Sequence, residues 1–176
     1  DPAEDRSASA ELAASEKDRA ENLMIVDLMR NDIARVCTPG TVRAPELFKV
    51  ESFSNVHHLV STVTGQLAAG RNVLDLLAAS FPPGSITGAP KVRAMEIIAE
   101  LEGESRGPYC GALGWINADG SADLNVMIRT AACVKQGEGW RAEVRSGGAI
   151  VIDSDPSEEL AETRAKAAAL FKAVGP

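Results

Sequence analysis

The sequence has 176 residues, of which 45% are apolar, 4% aromatic and 24% charged. This composition is typical of a globular chain with an aliphatic core, and it excludes disordered, collagen-like and membrane-embedded classes. The formal charge of −7 disfavours non-specific binding to nucleic acid or to an anionic membrane. Because no apolar run approaches a membrane span of roughly 18 residues and the N-terminus is unlike a signal peptide, we expect a cytoplasmic protein.

The first half of the sequence predicts a long helix, two strands, a short helix and a proline-rich loop. Residues 7–29 hold no Gly or Pro and are rich in Ala, Glu and Leu, which favours one continuous helix. Segments 47–53 and 57–67 are rich in Val, Thr, Phe and Leu, a composition that favours strands. A helix near 73–79 precedes the loop over 81–90, which contains three prolines and two glycines.

The second half predicts two helices that enclose three strands. The predicted elements are a helix over 91–101, strands over 111–117, 123–134 and 141–152, and a closing helix over 157–174 capped by Asp155 and Pro156. Strands joined by short turns pair antiparallel, and the helices lie at both ends and in the middle of the sequence. We therefore expect an α+β layer rather than a doubly wound sheet.

The three cysteines, Cys37, Cys110 and Cys133, form no C-x-x-C pair and have few histidines near them in sequence. Their odd number and their spacing indicate neither a disulfide framework nor a zinc site. We expect small, buried apolar residues at these positions.

The loop that leads into the helix at Lys91 combines anion-binding groups. Its glycines allow backbone to approach a ligand, Ser85 and Thr87 supply hydroxyls, and the helix that follows presents free N–H groups at its positive end. The glycine and lysine spacing does not match the Walker phosphate loop. The pattern is compatible with a carboxylate or phosphate cradle and equally with a structural turn.

Acidic residues are concentrated on the first and last predicted helices. Magnesium prefers a few carboxylates with waters and substrate oxygens, so one glutamate from each helix would suffice. Glu21 directly precedes an apolar run, where its helix becomes buried, and Glu162 is the corresponding candidate on the last helix. The alternative is a solvated helix surface, on which Glu162 forms an ion pair with Lys166.

Four other features are candidates for binding or catalysis. His57 and His58 are adjacent in a predicted strand, so one of them faces inward. Arg129 ends an apolar strand and needs an anionic partner, either a protein carboxylate or a substrate carboxylate. Tyr109 is the only tyrosine, and Gly147–Gly148 interrupts a predicted strand, which indicates a bulge or a close ligand approach.

Several longer runs, in the same order along nearly the whole chain, resemble chorismate-utilising enzymes. They are residues 17–32, 56–61, 84–96, 128–130, 147–151 and 162–166. The Ser-Ile-Thr-Gly-Ala-Pro-Lys run at 85–91 is more similar to component I of aminodeoxychorismate synthase than to component I of anthranilate synthase, and it makes isochorismate and salicylate synthases the least similar branch.

The resemblance implies a fold, an activity and a partner. The fold is α+β, part of an α/β sandwich with two β-sheets between outer helical layers. The activity is magnesium-dependent amination of chorismate to 4-amino-4-deoxychorismate, a precursor in para-aminobenzoate and folate biosynthesis. The ammonia would come from a glutamine amidotransferase subunit or domain.

The resemblance also assigns roles to individual positions. Glu21 and Glu162 match magnesium-binding glutamates, and Glu159 matches a neighbouring acidic position. Catalytic positions in the ring pocket correspond to His58 and Lys91. Four residues match positions that hold the substrate's carboxylate and enolpyruvyl groups: Tyr109, Arg129, Gly147 and Gly148. Ser85 and Thr87 border the same pocket.

One family segment has no counterpart here. The aminodeoxychorismate branch carries an upstream Pro-Ile-Lys-Gly-Thr run whose lysine is thought to attack the ring, and the sequence, which begins at Asp1 rather than Met, contains no such run. We expect residues 1–176 to be the C-terminal portion of a single catalytic domain and to be inactive alone. The alternatives are component I of anthranilate synthase, which forms anthranilate and pyruvate, and a non-catalytic fragment that binds chorismate or metal.

Overall fold

The computed structural model describes residues 2–53, 56–152 and 154–175. The chain forms two compact units, Asp1–Lys91 and Val92–Pro176. None of the helices among these described residues is both long and apolar enough to cross a membrane.

The described residues of the first unit form three helices, one hairpin and one 3₁₀ turn. In chain order its elements are α1 (Pro2–Ala14), α2 (Glu16–Ala34), β1 (Arg43–Ser52), β2 (His57–Thr64), α3 (Val73–Ser80) and the 3₁₀ turn (Gly84–Ile86). α2 packs against both strands and against the 3₁₀ turn, and it buries Val26 and Ile33. The first unit is therefore organised around α2.

The predicted continuous helix over 7–29 is wrong, because it is interrupted at Ser15 and extends beyond both predicted ends. Ser15 is extended, with φ −64° and ψ 113°, and its hydroxyl accepts a hydrogen bond from the Asp18 amide at 3.2 Å. This bond satisfies one of the free N–H groups at the start of α2, so the serine begins a second helix instead of continuing the first.

The hairpin of β1 and β2 is antiparallel, with Ser52 opposite His57 and Arg43 opposite Thr64. Its register shifts between Glu46 and Lys49, and Phe48 within this interval has a positive φ of 57°. The shift is a β-bulge, which removes the Phe48 amide from the regular ladder.

The proline-rich loop and the helix start at Lys91 are confirmed. Gly84 is buried, and a Cβ added to it would lie 2.6 Å from Cδ1 and 2.8 Å from Cβ of Leu28 on α2. Only a glycine allows the loop to approach α2 this closely.

The second unit contains two hairpins between two helices. Its elements are α4 (Lys91–Glu102, starting at the last residue of the first unit), β3 (Ala112–Ile116), β4 (Ala122–Val126), β5 (Ala131–Gln136), β6 (Gly139–Val144) and α5 (Pro156–Val174). β3 pairs with β4 and β5 with β6, both antiparallel. α5 begins at the predicted cap, since the Asp155 carboxylate accepts from the Ser157 and Glu158 amides at 2.9 Å and 3.1 Å.

Two strand predictions are wrong in this unit. The strand predicted over 123–134 is divided into β4 and β5 by residues 127–130, where Arg129 has a left-handed φ of 49°. The strand predicted over 141–152 ends at Val144, so Gly147 and Gly148 follow the strand instead of interrupting it.

The α+β fold class is confirmed, with three two-stranded antiparallel sheets in the part of the chain that the structure describes. Cys37 and Cys110 are buried as expected, whereas Cys133 is exposed, and all three are free thiols. Few side chains are fully buried, and among the described residues Asp32 is the only buried charged one.

We predict that Gly84→Ala destabilises the protein by about 1–3 kcal/mol, because the new methyl group overlaps Leu28 and forces the loop away from α2. Urea unfolding measures the loss. Gly139→Ala is the matched control, since its nearest contact would be a carbonyl at 3.9 Å. An equal free energy of unfolding for both variants would contradict the close approach.

Candidate active site

The start of α4 is attached to α2 by an ion pair between Lys91 and Asp32. Lys91 Nζ lies 2.6 Å from Asp32 Oδ2, and the side chains are 23% and 7% exposed. A carboxylate with so little solvent contact requires a charged or hydrogen-bonding partner. Lys91 supplies that partner, so its ammonium is directed at α2, and its predicted catalytic role stays a prediction.

The two hydroxyls of the loop have different surroundings. The Thr87 hydroxyl donates to the Pro83 carbonyl at 2.9 Å, which stabilises the 3₁₀ turn, whereas Ser85 is exposed. The Gly84 and Lys91 contacts on α2 fall at Leu28 and Asp32, one helical turn apart. The loop is therefore held along one face of α2, and Ser85 is its accessible hydroxyl.

Glu21 belongs to the same face of α2. It precedes Leu28 by seven residues and Asp32 by eleven, spacings that return to one side of a helix. Glu21 is half-buried. α2 thus presents the predicted metal-binding glutamate and the loop contacts in one longitudinal row.

The histidines face opposite sides, as predicted. His57 is the inward one, with a side chain 11% exposed, and its ring nitrogens lie 2.8 Å from Ser52 Oγ and 3.1 Å from Asp5 Oδ1. His58, the residue that the family resemblance selects, is exposed and makes an edge contact with the Phe53 ring at 5.5 Å. His58 is the histidine with an imidazole accessible to a ligand.

In the second unit, Glu159 and Glu162 come together beside Gly148. A Cβ on Gly148 would lie 3.1 Å from Glu159 Oε2 and 3.8 Å from Glu162 Oε1. Ser154 donates to Glu159 Oε1 at 2.6 Å, and Glu162 forms the expected ion pair with Lys166. The glycine therefore leaves room for the Glu159 carboxylate, which a side chain at this position would crowd.

One oxygen of this pair suits a cation. Glu159 Oε2 is buried and has no hydrogen-bond partner among the described residues, an arrangement that is costly unless a ligand completes it. A search of the described residues finds no group of three or more His, Cys, Asp and Glu placed to hold a metal ion. Because magnesium accepts waters and substrate oxygens as ligands, a pair of carboxylates still fits it.

Tyr109 lies against the backbone of Gly147. Its hydroxyl is 3.0 Å from the position that a Cβ on Gly147 would occupy. Arg106 lies over the Tyr109 ring at 5.7 Å and is held by a two-pronged hydrogen bond to Glu102. Burial and the neighbouring Cys110 raise the pKa of Tyr109, so the phenol stays protonated at neutral pH and can donate a hydrogen bond.

A cleft of about 490 Å³ opens beside Tyr109 in the second unit. Its wall is polar and charged, and it includes Glu102, Glu104, Arg141, Glu143, Arg145 and Ser146. Tyr109 therefore borders a space large enough for a small polar molecule.

Arg129 is exposed and makes no hydrogen bond or ion pair with the described residues. It has the left-handed φ of 49° described above, which is uncommon for a residue with a side chain. The protein carboxylate that the sequence allowed as its partner is not found within the described chain. A guanidinium presented in this way is available to bind a carboxylate.

Sequence reasoning did not select Asp32 or Asn22. Asp32 is the last residue of the run 17–32 and lies near the end of α2. Asn22 connects α2 to β2 through hydrogen bonds to Leu59 and Ser61. Neither partner is near in sequence, so neither role has a local signal.

The family model described as chorismate binding enzyme matches residues 1–172. The chain belongs to the chorismate-binding enzyme family. This membership confirms the resemblance that the sequence runs indicated.

Relatives of this chorismate-binding family member carry two different names. The chain is 54% identical to anthranilate synthase component 1 of Streptomyces coelicolor over 99% of its length, and 55% identical to aminodeoxychorismate synthase component 1 of Salmonella typhimurium over 93%. It spans about a third of each relative, 33% and 35%. The near-equal identities do not separate the two branches.

A solved structure confirms the chorismate-binding fold. Anthranilate synthase component I of Streptococcus pneumoniae superimposes with a TM-score of 0.81 and 40% sequence identity. The match covers 94% of this chain and 37% of that structure.

We predict that Lys91→Ala destabilises the chorismate-binding protein by about 3 kcal/mol, because it leaves the Asp32 carboxylate buried without its partner. Asp32→Ala is expected to cost less, since the Lys91 ammonium can turn towards solvent. Urea unfolding of both variants and of the double variant Asp32→Ala, Lys91→Ala measures the coupling. Additive losses would show that the pair contributes nothing specific.

Proposed function

We propose that the enzyme to which this chain belongs aminates chorismate to 4-amino-4-deoxychorismate. The observation that carries the proposal is the buried Glu159 oxygen beside Gly148, which has no hydrogen-bond partner among the described residues. A cation would satisfy this oxygen, and a second carboxylate lies near it. The Ser-Ile-Thr-Gly-Ala-Pro-Lys run favours the aminodeoxychorismate branch. In this reaction, ammonia replaces the ring hydroxyl, which leaves as water.

In the second unit, we propose Glu159 and Glu162 as magnesium ligands. On the family resemblance, we also propose Glu21 of α2 as a magnesium-binding residue. When bound, the ion would neutralise the ring carboxylate of chorismate and withdraw electron density as the hydroxyl leaves. Lys166 lies beside Glu162 and limits the negative charge of the carboxylate pair before a cation arrives.

The remaining site residues bind and orient the substrate in this proposal. Arg129 offers two parallel N–H donors to a substrate carboxylate. The protonated Tyr109 phenol donates a hydrogen bond beside the Gly147 backbone, and His58 borders the ring. On the loop, Ser85 is the hydroxyl available to a ligand, while Lys91 holds the loop through Asp32.

The proposal requires a source of ammonia. Free ammonia is scarce at neutral pH because the amine is mostly protonated, so a glutamine amidotransferase subunit or domain is the proposed supplier. With ammonium salts at high pH the reaction should proceed without that partner.

Anthranilate formation is the second candidate, favoured by the 54% identity to the Streptomyces coelicolor relative. The two reactions differ in one observable product, because anthranilate formation eliminates pyruvate and aminodeoxychorismate formation retains the enolpyruvyl group. We expect the full-length enzyme with chorismate, ammonia and Mg²⁺ to consume chorismate without releasing pyruvate. Pyruvate in proportion to chorismate consumed, measured with lactate dehydrogenase, would establish the second candidate instead.

We predict that Arg129→Lys raises the chorismate KM of the full-length enzyme by about tenfold or more, because a lysine keeps the charge and loses the two-pronged geometry. Arg43→Lys on β1 is the matched control, since that exposed arginine has no role in the proposed substrate site. Steady-state kinetics measure both variants. A chorismate KM that is equal in the two would contradict the role of Arg129.

A further inference from the structure

Asn22 lies directly after Glu21 on α2, and both the nitrogen and the oxygen of its side chain form hydrogen bonds with β2. Its Nδ2 donates to the Leu59 carbonyl at 2.9 Å, and its Oδ1 accepts from Ser61 Oγ at 2.5 Å. All three residues are half-buried. The carboxamide is therefore a directional connection between α2 and the strand that carries His58.

The connection continues into β1 through the β-bulge. The Phe48 amide, which the bulge removes from the ladder, donates to Ser61 Oγ at 3.0 Å. Ser61 has a single hydroxyl proton, which it donates to Asn22, and its oxygen accepts the bond from the Phe48 amide. Arg19, on the turn of α2 before Asn22, lies over the Phe48 ring at 4.6 Å. Two elements of the hairpin thus hold the first half of α2.

Apolar residues continue the face of α2 that Asn22 begins. Asn22, Val26 and Ile33 recur at spacings of four and seven residues and share one face, on which Val26 and Ile33 are 5% and 8% exposed. Apolar contacts of this kind stabilise the helix but tolerate small rotations and shifts along its axis. The Asn22 hydrogen bonds require correct angles and distances, so they fix both the rotation of the helix and its position along its axis.

Rotation of α2 determines where Glu21 is presented. Successive residues of a helix are about 100° apart, so Glu21 occupies the row of Leu28 and Asp32, a quarter turn from the Asn22 row. At the other end of that row, the Asp32–Lys91 ion pair holds the loop. In the first half of α2, the Asn22 bonds are directional polar contacts that connect the helix to β2.

We propose that Asn22 is a positioning residue, which through Leu59 and Ser61 holds Glu21 in the orientation needed for magnesium binding. The inference rests on the proposed function for the metal, and on the described hydrogen bonds for the geometry. Asn22 itself touches neither metal nor substrate in this proposal.

The test compares variants that remove the hydrogen bonds with variants that keep them. Asn22→Leu keeps the volume and removes both bonds, and Ser61→Ala removes the hydroxyl that Asn22 and Phe48 share. Ser61→Thr restores a hydroxyl in a strand that favours β-branched residues. Ser80→Ala is the matched control, because it deletes a half-buried hydroxyl whose hydrogen bond, to Leu76 at 2.8 Å, stays within α3.

Two measurements on the full-length protein separate positioning from stability. Calorimetric titration with MgCl₂ gives the metal Kd, and hydrogen exchange without metal reports how firmly residues 16–25 are held. We expect Asn22→Leu and Ser61→Ala each to raise the Kd for Mg²⁺ and to accelerate the exchange of residues 16–25, both by about fivefold or more. This factor corresponds to the loss of about one net hydrogen bond. Ser61→Thr and Ser80→Ala should leave both quantities within about twofold of the wild type.

Opposite results overturn the proposal in distinguishable ways. If Asn22→Leu lowers the Tm as Ser80→Ala does but leaves the Kd and the exchange rates unchanged, Asn22 has a structural role alone. If the wild-type protein binds no Mg²⁺, the metal site of the proposed function fails, and with it this role of Asn22. The exchange rates identify which of these failures has occurred, because they are measured without metal.

Discussion

The Asp32–Lys91 ion pair is the interaction on which the arrangement of the first unit depends. An aspartate that is 7% exposed at its side chain is stable as an anion only with a partner at short range, and Lys91 is that partner at 2.6 Å. The two residues are 59 positions apart, so the pair closes a long stretch of chain that includes the whole hairpin. Leu28, one turn earlier, packs against Gly84, and the ionic and apolar contacts together place the loop over 81–90 along α2.

α2 consequently carries two rows of residues that make different contacts. One row, with Asn22 at its start, faces the hairpin, and the other begins at Glu21 and ends at Asp32. The family resemblance assigns Glu21, His58 and Lys91 to one ligand site, and in the first unit all three are attached to α2 or to the strand that Asn22 contacts. A single helix can therefore transmit the position of the hairpin and of the loop to its own glutamate, without a direct contact among the three residues.

Local signals predicted much of this fold, and the exceptions are instructive. The starts of α3, α4 and α5 agree with the sequence because a cap, a proline or a composition change marks each of them. The break at Ser15 also had a signal, a serine followed three residues later by Asp18, which the helical composition around it obscured. The break at 127–130 had none: no glycine or proline marks it, and the left-handed Arg129 is a conformation that arginine does not favour. Asn22 with Ser61 and Asp32 with Lys91 are 39 and 59 residues apart, so only the folded chain brings them together.

Two candidate site residues of the second unit share one physical property. Glu159 Oε2 and the Arg129 guanidinium both lack a protein partner within the described residues, and each would be better satisfied by a neighbour of opposite charge. Gly148 leaves room for the Glu159 carboxylate, because a Cβ there would lie 3.1 Å from Oε2. At Arg129, the left-handed backbone follows the end of β4 and turns this residue out of the ladder. A cation for one group and a carboxylate for the other are complementary needs, and a carboxylate substrate bound together with a divalent ion meets both at once.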